Sequence, residues 1–89
     1  MQREPYPMPR LAEHDFAALH DQMKVEADFP PTHSAWLALW VRRSVEEQQR
    51  GFEIQWVDFR PGDLERFCSS TGLRPSWGAL TKLISGMAR

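Results

Sequence analysis

Phe52-Glu53-Ile54-Gln55-Trp56-Val57-Asp58-Phe59 is the stretch on which the reading of this chain turns. It is rich in β-branched and aromatic residues and is bounded by Gly51 and by Arg60-Pro61-Gly62, the pattern of a β-strand. Phe52, Ile54 and Trp56 share one face, and Val57 and Phe59 lie on the other, so both faces are partly apolar and helices are expected over one face and part of the other. A lone strand leaves two rows of backbone N–H and C=O groups without partners, and these have to be satisfied. What pairs with residues 52–59 therefore organises the fold.

The chain offers one internal candidate. Met23-Lys24-Val25-Glu26-Ala27-Asp28-Phe29 alternates apolar and polar residues, which makes residues 25–29 a possible short second strand. Failing that, the strand pairs between chains, with its own copy across a two-fold axis or with a strand of another protein.

The flanking segments read as four helices. Ala12, Phe16, Leu19, Met23 and Ala27 recur at helical spacing and predict a first helix from Leu11 to about residue 24, with residues 25–29 left open between helix and strand. Pro30-Pro31 ends that segment. Thr32 or Ser34 then caps a second helix that runs to about Arg50, with a buried stripe of Trp36, Leu37, Trp40, Val41 and Val45 and with Leu39 on the solvent side. Pro61 opens a third helix to about Thr71, with Leu64, Phe67, Cys68 and Thr71 facing inward and Gly72 placed as a left-handed cap. Ser76 caps a fourth helix, whose stripe is Trp77, Leu80, Leu83, Ile84 and Met87. Residues 1–10 carry Pro5, Pro7 and Pro9 at alternate positions, which fixes φ and removes amide donors. They predict an extended, mobile arm in front of a single domain over residues 11–89. The fold class expected is α+β and mostly helical, with about four helices around one clear strand.

Composition bounds the function. Eighty-nine residues, 42% apolar and 26% charged, suffice for one modest core. The net charge is −1, but residues 1–59 carry six basic and ten acidic side chains (−4), and residues 60–89 carry five and two (+3). One cysteine allows no internal disulfide and fits a reducing compartment. No stretch approaches the length of a membrane span, and the first ten residues have no apolar signal core, so a cytoplasmic protein without membrane contact is expected.

Chemistry-bearing motifs are absent. Cys68 lies on the same helical stripe as Leu64 and Phe67, the place of a core residue rather than a nucleophile served by His14, His20 or His33. No paired Cys or His spacing suits a metal, and no Gly-rich loop suits a phosphate. The expectation is a non-enzymatic protein with neither metal nor cofactor, acting through protein contacts as a homodimer through residues 52–59 or with another protein. Phe52, Ile54, Trp56 and Leu39 are the candidate interface residues.

One rival function has a sequence basis. Residues 67–76, Phe-Cys-Ser-Ser-Thr-Gly-Leu-Arg-Pro-Ser, resemble the first helix and turn of a helix-turn-helix motif, in which a Gly-Leu turn precedes a Ser-started recognition helix. The resemblance implies a DNA-binding regulator using residues 61–88, with Arg66, Arg74 and Lys82 against the phosphates. The outward positions Gly78, Thr81, Lys82 and Ser85 include no Arg, Asn or Gln to read bases, so nucleic acid is the less favoured partner.

Overall fold

Residues 52–59 find their partner within the chain, in the proline-rich segment and not in residues 25–29. The computed structural model describes residues 3–88, so positions 1 and 2 of that segment fall outside the described residues. Strand β1 (Pro5–Arg10) and strand β2 (Glu53–Asp58) form a two-stranded parallel sheet, with Pro5 opposite Glu53 and Arg10 opposite Asp58. Between them lie a 3-10 turn (Glu13–Asp15), helix α1 (Phe16–Gln22) and helix α2 (His33–Gln49), which together form the crossover that a parallel pair requires. Helices α3 (Pro61–Thr71) and α4 (Trp77–Met87) follow. The fold is α+β and mostly helical.

The alternate prolines fit this strand because of hydrogen-bond parity. The Glu53 amide donates to the Glu4 carbonyl (2.9 Å) and the Phe59 amide to the Arg10 carbonyl (3.2 Å). With the observed register, the even residues of β1 turn their backbone groups toward β2 and the odd ones turn outward. Pro5, Pro7 and Pro9 are the odd ones. All three missing donors fall on the outer edge, where no ladder bond is lost. The segment expected to be a mobile arm is therefore a built-in edge strand. Met8 within it is fully buried.

Residues 25–29 form turns instead of a strand, and the first helix stops at Gln22, short of the expected residue 24. Their side chains hold other structure. Phe29 stacks on Trp77, with ring centroids 5.3 Å apart, and lies 5.7 Å from Trp36. The Trp77 indole N–H donates to Asp28 (2.8 Å), and a Glu26 carboxylate oxygen accepts the Trp77 amide at the start of α4 (3.3 Å). The alternation that imitates a strand thus sends Phe29 inward and the two carboxylates to α4.

The other helices begin and end where their caps dictate. Thr32 Oγ1 accepts from Ala35 N, and Ser76 Oγ accepts from Ala79 N. Asp63 accepts from the Arg60 amide (2.8 Å) in the first turn of α3, and Gly72 takes the left-handed φ of 75° at its end. Leu11, Leu19, Met23, Trp36, Val57, Phe59, Leu64, Leu80, Leu83 and Ile84 are among the residues of one core, which Trp40 and Trp77 flank. His33 Nε2 donates to the Leu11 carbonyl (2.8 Å) and Gln22 Nε2 to the Pro61 carbonyl (2.9 Å), fastening α2 to the end of β1 and α1 to the start of α3. Among the described residues no helix is long and apolar enough to cross a membrane.

Candidate functional site: a free strand edge beside an apolar helix flank

The sheet ends at β2. Because Glu53 and Phe59 bond to β1, alternate residues Ile54, Trp56 and Asp58 turn their backbone groups to the other side, the outer edge of the sheet. The two edges therefore differ in kind. The outer edge of β1 lacks three donors, and that of β2 retains all of its own. Trp56 leaves 37% of its surface exposed on this edge strand, and Ile54 is half-buried.

Helix α2 presents an unexpected face. Its inward line is Trp36, Trp40, Ser44 and Glu47, with Trp36 and Ser44 buried and the other two half-buried. Leu37, Val41 and Val45, assigned by the sequence to the buried stripe, are instead 44%, 54% and 46% exposed. The reason is rotational. Two Trp rings one turn apart occupy the core, and centring them there turns the i, i+4, i+8 row of smaller apolar residues out to one flank. Ser34, Ala38 and Gln48 border this row without charge, and Arg42, three residues before Val45, borders it on the solvent side. Arg43 lies on the opposite flank, next to the inward Glu47, and Arg42 and Glu46 lie on the outward face.

Arg43, Glu46 and Glu47 border a cavity with Tyr6 of β1, so the last turns of α2 lie near the start of β1. Leu37, Val41 and Val45 do not line that cavity.

The other residues singled out by the sequence lie elsewhere. Phe52 packs edge-on against Tyr6, with centroids 5.4 Å apart, and so braces the entry to β2. Leu39 is half-buried and not on the solvent face. It lines a cavity with Trp40, Trp77 and Arg43 between α2 and α4. Cys68 is buried beside the core, and burial pushes its thiol pKa up, which disfavours the thiolate.

Residues 61–88 form two packed helices joined by residues 72–76. Arg66 is tied to Asp63 at 2.6 Å on α3, whereas Arg74 lies exposed in the connection and Lys82 exposed on α4. The three cations are not gathered on one helix. Among the described residues no group of three or more His, Cys, Asp or Glu side chains is placed to hold a metal ion.

Sequence reasoning missed Leu37, Val41 and Val45 as surface residues because periodicity gives the spacing of an apolar row, not the rotation of the helix that carries it. The absence of charge along residues 34, 37, 38, 41, 45 and 48 was the available signal. Comparison with family models, with curated proteins and with solved structures returned no significant match.

Proposed function

We propose that this protein is a small non-enzymatic interaction module whose immediate partner is a second copy of itself, held by the β2 edge and the apolar flank of α2. The observation that carries the reading is the asymmetry of the sheet. One edge is stripped of donors by Pro5, Pro7 and Pro9, the other keeps its donors, and α2 carries an exposed apolar row of Leu37, Val41 and Val45. Depletion of charge at the centre of a contact is the compositional mark of an interface.

The row is also self-complementary. Leu37, Val41 and Val45 are evenly spaced about Val41, so two antiparallel copies of α2 set Val41 against Val41 and Leu37 against Val45 of the second copy, as an isologous contact requires. Strand pairing at the β2 edge would continue the sheet through the same axis. The original ground for a dimer, a strand without an internal partner, no longer applies because β1 fills that place.

Light scattering or sedimentation tests the proposal. The wild-type chain is expected to run as a dimer at micromolar concentration. Val41→Glu sets two like charges against each other at the axis and is expected to weaken the dimer at least ~100-fold, with the fold retained by circular dichroism. A monomer at the highest attainable concentration, or a dimer unmoved by both Val41→Glu and Trp56→Ser, would overturn it.

A further inference from the structure

A groove runs along the opposite side of α2, between β1, α2 and α4. One part encloses about 260 Å³, with Tyr6, Trp40, Leu80 and Ile84 on its walls. A second part of about 290 Å³ shares Trp40, Arg43 and Thr81 with the first and continues to Trp77 and Asp28. The walls are mostly apolar and aromatic, with a few polar groups, as small-molecule sites are.

The polar groups are unevenly matched. Arg43 holds its guanidinium 5.5 Å from the centre of the Trp40 ring and makes no ion pair or hydrogen bond among the described residues. Its helix neighbour Glu47 is engaged with Arg50 (3.5 Å). The indole Nε1 of Trp40 is buried and has no acceptor. Thr81 and Ser85 add two hydroxyls to the first part of the groove, which has no carboxylate on its walls. Asp28, in the second part, already accepts from the Trp77 indole. The first part is therefore an apolar hollow with a cation at its rim and no carboxylate to match it.

We propose that this groove binds a small apolar carboxylate, an aryl or medium-chain acyl acid, with its carboxylate on Arg43 and its hydrocarbon against Trp40, Leu80 and Ile84. A carboxylate supplies the counter-charge that Arg43 lacks, and a guanidinium is the side chain best shaped to take it. The hydrocarbon covers apolar wall that is otherwise open to water. The site lies on the β1 side of α2 and is independent of the self-association surface. A half-enclosed hollow of this volume suits a small acid better than the end of a peptide, whose preceding residues would have to cross Pro7 and Pro9.

The test titrates the full chain with sodium octanoate, with neutral octanamide and with a short peptide ending in leucine, followed by calorimetry and tryptophan fluorescence. Octanoate is expected to saturate at one equivalent per chain, with octanamide about 10-fold weaker. Arg43→Gln changes an exposed side chain, so the fold is expected to survive. It should weaken octanoate by about 10-fold and leave octanamide within about twofold. Absence of saturation, equal binding of octanoate and octanamide, an unchanged affinity in Arg43→Gln, or tighter binding of the peptide than of octanoate would each overturn the proposal.

Discussion

At the carboxyl ends of the two strands, the Asp58 carboxylate accepts two hydrogen bonds from the Arg10 guanidinium, at 2.6 and 3.0 Å. The hydrogen bond from Arg10 holds the Asp58 carboxyl below its usual pKa, and Asp58 in turn raises that of Arg10. A depressed carboxylate pKa means that the stabilisation is present above the unfolded-state value of about 3.9 and is lost as pH falls through the lower folded value. Both side chains are open to solvent, so the contribution is small and sensitive to salt. Thermal melts of wild type and Asp58→Asn between neutral pH and pH 2 should therefore converge at the acid end. A gap of the same size throughout would show that the charge of Asp58 is irrelevant to folding. Neither member of this pair was visible as a partner of the other in the sequence, because 48 positions separate them and only the strand register brings them together.

Among the elements, β1 depends most closely on hydrogen-bond parity. Replacing Pro5 and Pro7 with threonine would return two amide donors to the outer edge and favour extended backbone, while the inner ladder stays intact. The expected result is a native circular dichroism spectrum with much faster growth of light scattering on warming, because the edge becomes able to pair with other chains. Scattering equal to wild type would show that the prolines are not what protects this edge. The other elements were legible to different degrees, for physical reasons. Helix α3 could be read to its end residues because Pro61 and Gly72 impose backbone angles that few contexts override. Strand β2 was legible from its own composition. Its partner was not, since proline is depleted from strands in general and the exception depends on which edge each residue faces. The alternating residues 23–29 misled because the same pattern also serves a turn that sends Phe29 inward. The candidate site was half legible. Trp56 could be named from the strand, whereas the exposure of Leu37, Val41 and Val45 depends on how the Trp36–Trp40 pair orients α2.

For the whole molecule, Pro5–Arg10 is structural. A chain beginning at Leu11 would lose the buried Met8 and the partner of β2, leaving both edges of that strand open. Such a truncation is expected to abolish the cooperative urea transition followed by tryptophan fluorescence. A sigmoidal transition with an unchanged midpoint would mean that helices α1–α4 fold without the sheet. In a domain of this size, stability is only a few kcal/mol, and loss of one fully buried Met costs a comparable amount.

The parallel pairing also sets an order of events in time. The segment synthesised first is joined to one made 48 residues later, so β1 has no partner until β2 has left the ribosome. Closing a loop of that length costs roughly 3 kcal/mol in chain entropy before any strand contact forms. Sheet formation is therefore expected to follow the local helices, as non-local contacts generally do. During that interval the three prolines guard only one edge of the nascent β1, and the amides of Tyr6, Met8 and Arg10 stay open on the other until β2 covers them.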